Sequence, residues 1–132
     1  NATEERRVAI GRLKEVLGRY RGDYLPDTPF EDWALYRREY LLNRFLQGTR
    51  ILASLYLADG RHDEAISTAE TVLAHDPWDE EAVLIIMKAF AAKGNVSAAL
   101  RTYEALRERL QHDLNLHPGE ELTALYRFLR SS

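Results

Sequence analysis

The chain has no cysteine, which excludes structural disulfides and thiolate-ligated metals and agrees with a reducing cytosol. It has no apolar run near the ~20 residues of a membrane-spanning helix and no signal-peptide pattern at its start. An excess of either charge is missing too, since 18 Lys and Arg stand against 21 Asp and Glu, for a net charge of −3. Such a balance supplies no field to draw the chain onto nucleic acid. Gly-rich phosphate loops, the HExxH pattern and Ser or Cys nucleophile motifs do not occur, so catalysis has no visible seat and no cofactor is implied. The expectation is a soluble cytoplasmic protein that is not an enzyme and makes no membrane contact.

What is present is apolar residue at helical spacing. The 132 residues are 45% apolar and 10% aromatic, sufficient to bury roughly two-thirds of the unfolded surface in one core. From Thr3 to Tyr20, Ala9, Ile10, Leu13, Val16, Leu17 and Tyr20 share one face, with Arg6, Arg7, Arg12 and Lys14 opposite. Residues 21–27 carry turn formers and two large apolar side chains, and predict a loop pinned to the core. Thr28, Pro29 and Glu31 predict a capped helix start, and the helix they open runs to Asp59 unless Gly48 kinks it. Further helices are predicted over about 62–75, 78–93, 96–113 and 118–130, and no strand pattern appears. Asn95 is placed as an N-cap and Asn115 as a left-handed helix end.

One constant offset separates Phe90 from Tyr56, Gly94 from Gly60 and Ala99 from Ala65. In each triplet a large ring closes over two packed helices, a glycine ends the first helix in the left-handed region, and an alanine admits the second helix closely. Pro77 ends the second helix and opens the next, with Asp76 as a candidate N-cap. The offset, together with Leu52, Ala53, Tyr56, Gly60, Ala65 and Pro77 at their spacing, resembles a tetratricopeptide (TPR) unit. Such a unit leaves an apolar face that only a stacked neighbour covers.

The register turns Gln47, Arg50, Ser54, Leu57, Glu81, Leu84 and Lys88 toward the inner face of a TPR stack, where a partner peptide would lie. Leu84 and Ile85 stand where a Lys/Asn/Arg carboxylate clamp needs polar side chains, so C-terminal carboxylate capture is not expected. His62, His75, His112 and His117 fall in turns or near helix ends and suit surface or capping roles better than metal ligation. The arginines at 37, 38, 44 and 50 interleave with Glu39 and suit a solvated, ion-paired face, as do the N-terminal arginines. Trp33 is expected to pack against Tyr24 or Leu25, whereas Trp78, at a repeat junction, is half exposed and a candidate partner contact.

An ordered set of motifs extends the likeness. Tyr20 to Pro26, Trp33-x4-Arg38-x2-Leu41, Ala65-Ile66 and Leu73-x2-Asp76-Pro77-x-Asp79-Glu80 come first. Met87-Lys88-Ala89, Gly94, Ala99-Leu100-x2-Tyr103, Leu110-x3-Leu114 and Pro118-x2-Glu121-Leu122 follow. This set resembles the bacterial transcriptional activator domain (BTAD) of SARP-type regulators, from about Ala9 to Leu129. Asn115 replaces the family's usual Gly, and Gly119 stands where a polar helix starter is usual, so fraying of the last helix is expected.

The resemblance implies an all-α, TPR-like right-handed superhelix of about six helices in antiparallel pairs, one domain over residues 3–132. It also implies a piece of a longer regulator whose winged-helix DNA-binding domain is absent here. The partners it implies are RNA polymerase, the regulator's own DNA-binding domain or a homodimer partner, with DNA reached only through the winged helix. Trp33, Ala53, Tyr56, Gly60, Ala65, Pro77, Phe90, Gly94, Ala99 and Tyr103 are the structural repeat positions. The alternative is a free-standing TPR peptide-binding adaptor or the sensor segment of a signalling ATPase.

Overall fold

The computed structural model describes residues 1–24 and 32–131, with the side chains of residues 20–24 and 32–36 outside the described set. Six helices and no strand occur among the described residues: α1 (Ala2–Tyr24), α2 (Asp32–Ala58), α3 (His62–His75), α4 (Glu80–Ala92), α5 (Val96–Leu114) and α6 (Glu120–Arg130). Each helix packs on the next in sequence, and α4 also touches α2 and α6. The result is a TPR-like stack of antiparallel helix pairs, with α2, α4 and α6 as its inner layer.

The turns carry the repeat down to the backbone. Gly60 and Gly94 take φ values of 76° and 83°. In the first turn Arg61 N–H reaches the Tyr56 carbonyl at 2.9 Å and Gly60 N–H the Leu57 carbonyl at 3.1 Å. Asn95 and Gly94 form the same pair in the second turn, at 2.9 and 3.0 Å, to Phe90 and Ala91. Both are Schellman ends, in which a left-handed residue lets the chain turn back and satisfy helix carbonyls. Asn95 Oδ1 then accepts from Ala98 N–H at 3.1 Å as the N-cap of α5, and Asn115 ends that helix at φ 54°.

Two apolar clusters fill the stack. The first joins Ile10, Leu17, Phe45, Leu46, Leu52, Tyr56, Ile66 and Val72 to one side of α4, and the second joins Met87, Tyr103, Leu106, Leu110, Leu122, Tyr126 and Leu129 on its other side. Because α4 is buried on both sides, its sequence is apolar nearly all round. Ala53, Ala65, Ala89 and Ala99 have no exposed surface, as close helix approach requires. Leu17 presses on α2 at Gly48, where an added Cβ would meet its Cδ2 at 2.9 Å. Gly48 therefore serves interhelical contact within one continuous helix.

Four expectations change. α1 runs through residues 21–24 instead of stopping at Tyr20, because a single Gly costs a helix only about 1 kcal/mol and the first strong breaker is Pro26. α4 starts at Glu80, two residues later than predicted, and its N-cap is Asp79, whose side chain accepts from Ala82 N–H at 2.8 Å. Asp76 instead accepts from Trp78 N–H at 3.2 Å inside the turn, a short-range bond that competes with helix capping. α6 likewise starts at Glu120, with Pro118 outside it and Gly119 as its N-cap. Gly119 offers no side-chain cap to α6, but its own N–H donates to Glu80 Oε1 at 2.7 Å, so the helix start is tied to α4. The cap expected at Thr28, Pro29 and Glu31 and the packing expected of Trp33 lie outside the described residues.

Candidate functional site

The inner layer positions the predicted groove. Positions 47, 50, 54 and 57 of α2 and 81, 84 and 88 of α4 recur at three- or four-residue steps, so each set forms a stripe along its helix. Gln47, Arg50 and Glu81 meet in one open hollow of about 500 Å³, which Asn43 and Ile51 also line. Glu81 and Leu84 line a second hollow beside Glu120 and Glu121 of α6. Ser54 and Lys88 are exposed, whereas Leu57 is partly buried against the first apolar cluster.

Arg50 is already engaged. Its Nε donates to Asp79 Oδ2 at 2.6 Å and its Nη2 lies 3.9 Å from Asp76. The Asp79 carboxylate therefore both caps α4 and ties it to α2. The inner face thus has a fixed polar seam beside the exposed Ser54 and Lys88. Ile51, 47% exposed, adds an apolar element that the helical register alone did not single out.

The junction around Trp78 is tied to α5. Trp78 is 38% exposed and its Nε1–H donates to Asp113 Oδ2 at 3.1 Å, while Arg109 Nε donates to the Pro77 carbonyl at 3.1 Å. His112 Nδ1 lies 2.8 Å from Asp113 Oδ1. That hydrogen bond raises the His112 pKa above its ordinary value, and, together with the one from Trp78, lowers that of Asp113. His75 packs edge-on against Phe45 with centroids 6.4 Å apart, and His62 Nδ1 is buried with no hydrogen-bond partner among the described residues. No group of three His, Cys, Asp or Glu side chains suited to a metal occurs among the described residues.

Ion pairs lock the helix ends. Arg6 of α1 donates to the Ala58 carbonyl at 2.9 Å and lies 3.4 Å from Asp59. It brings a cation to the end of α2, whose own last turn has none. Lys93, at the end of α4, pairs with Asp63 in the first turn of α3, and that bond lowers the Asp63 pKa. Arg61 pairs with Glu64 and sits over the Tyr56 ring, 4.6 Å from its centroid.

Residues 1–130 match the family model described as "Bacterial transcriptional activator domain". The chain belongs to that family. The BTAD is also similar in sequence to two curated regulators, each named "Transcriptional regulatory protein MoaR1", from Mycobacterium tuberculosis and Mycobacterium bovis. Each is 29% identical over 119 residues, which make up 89% of this chain and 38% of the relative. The BTAD chain thus spans 38% of the length of these regulators. No solved structure matches it. No helix of the BTAD, among the described residues, is long and apolar enough to cross a membrane.

Proposed function

We propose that this chain is the protein-contact module of a cytoplasmic bacterial transcription activator, meeting RNA polymerase, a second copy of the regulator or the regulator's own DNA-binding domain. The observation that carries the reading is the family match over residues 1–130. The likeness to proteins named as transcriptional regulators supports it. DNA contact belongs to a winged-helix domain elsewhere in the regulator, in keeping with the net charge of −3 here.

The contact surface proposed is the inner face built by Gln47, Ser54, Glu81, Leu84 and Lys88, with Arg50 and Leu57 as its supporting edge. Exposed polar residues around partly buried apolar ones suit a partner helix or extended segment. The test is transcription from a reporter promoter by the full-length regulator carrying Glu81→Arg with Lys88→Glu. Activation is expected to fall several-fold while promoter binding and thermal stability stay at wild-type values. Unchanged activation would overturn the assignment of this face.

A further inference from the structure

The far end of the stack carries guanidiniums that the inner-face reading does not use. Arg107 of α5 and Arg127 and Arg130 of α6 line one hollow of about 420 Å³, with Thr123 and Ser131 also on its wall. Among the described residues none of the three arginines forms an ion pair.

Two of them are nevertheless held in place. Tyr103 and Tyr126 stack with centroids 4.2 Å apart and planes 19° from parallel. Their hydroxyls are fixed in turn, Tyr103 Oη lying 3.0 Å from Thr123 Oγ1 and Tyr126 Oη donating to Glu104 at 2.8 Å. Arg107 lies 5.6 and 5.7 Å from the two ring centroids, and Arg130 lies 6.0 Å from that of Tyr126. Cation–π attraction thus orients two guanidiniums against a rigid pair of rings, and lowers the ordering cost of binding an anion there. Glu104 accepts from Tyr126 and keeps its negative charge, but it does not line the hollow, whose own walls carry three guanidiniums and, among the described residues, no carboxylate.

We propose that this hollow binds a single phosphoryl group carried on a side chain of a partner protein. Three guanidinium forks match a group with three terminal oxygens and nearly two negative charges, whereas a carboxylate presents two oxygens and one charge. Duplex DNA fits less well. It spreads one charge over each ~1.7 Å of its axis, and the excess positive charge here is confined to one hollow.

The test is a 15N NMR titration of the 132-residue chain, following arginine Nε–H and backbone signals. The probe is a blocked Ala-phosphoserine-Ala peptide, beside its unphosphorylated twin, inorganic phosphate and a duplex DNA. Expected are saturable shifts at Arg107, Arg127 and Arg130 with the phosphopeptide, silence from the twin, and about tenfold weaker binding by Arg127→Gln. Arg127 has no ion pair to lose among the described residues, so this variant keeps the fold, as backbone signals away from the hollow will report. Equal shifts from the unphosphorylated twin, or binding unaffected by Arg127→Gln, would overturn the site. Binding of inorganic phosphate without the peptide would overturn the partner-protein source, and tighter binding of duplex DNA would replace it with a nucleic-acid contact.

Discussion

Asp79 performs two tasks with one carboxylate, and replacing it separates them. One oxygen caps α4 at Ala82 N–H and the other takes the Arg50 guanidinium, with the side chain 8% exposed. Loss of a side-chain N-cap costs about 1 kcal/mol. A hydrogen bond to a charged group contributes about 1.5–3 kcal/mol. Arg50 keeps some of this after Asp79→Ala, since its side chain is 22% exposed and Asp76 lies 3.9 Å away. That reduces the second contribution to about 1 kcal/mol, so the whole cost is about 2 kcal/mol. In a chain of this size Tm should fall by about 6–10 °C. Asp79→Asn keeps a competent cap and loses the charge, and should cost about half as much. Urea unfolding followed by far-UV circular dichroism measures both. The reasoning is refuted if Asp79→Ala stays within about 0.5 kcal/mol of wild type, or if Asp79→Asn is as damaging as Asp79→Ala.

Three further outcomes are expected. Gly60→Ala and Gly94→Ala should each cost about 1–2 kcal/mol in urea unfolding, because both glycines have positive φ and open space around them, which leaves backbone strain as the whole effect. Ala99→Leu should overpack the junction of α4 and α5 by about 1–3 kcal/mol, and an unchanged melt would contradict the total burial of Ala99. His112 should titrate above the ordinary histidine value by NMR, and Asp113→Asn should bring it back. Since its folded pKa is raised, the stabilisation it adds is full below the unfolded value near 6.5 and disappears as pH rises through the folded pKa.

What was legible in the sequence was local. Tyr56, Gly60 and Ala65 and their counterparts Phe90, Gly94 and Ala99 are read from spacing because each position answers a short-range demand: a ring to fill, a left-handed turn to make, a close approach to allow. Asp76 and Asp79 were harder to tell apart. Both precede α4 with a capping side chain, and only the turn geometry decides which one faces the helix. The contacts of Arg50 with Asp79 and of Lys93 with Asp63 join residues on different helices, so no spacing within one helix announces them. The arginine hollow was invisible for the same reason. It exists only once Tyr103 of α5 and Tyr126 of α6 stack and bring Arg107 beside Arg127 and Arg130.

Asp59 and Lys93 occupy equivalent places in successive repeats, each just after an inner helix and each reaching back to the start of the outer helix before it. Their signs are opposite, and so are those of Arg6 and Asp63, which receive them. Repeats of one shape are interchangeable by packing alone, which makes exchange of neighbours a natural folding error. Here an exchanged docking would set Lys93 against Arg6 and Asp59 against Asp63, two repulsions in place of two attractions. The reversal gives each joint its own charge pattern, which adds to the difference in helix length between the α1–α2 and α3–α4 pairs in telling one unit from the next.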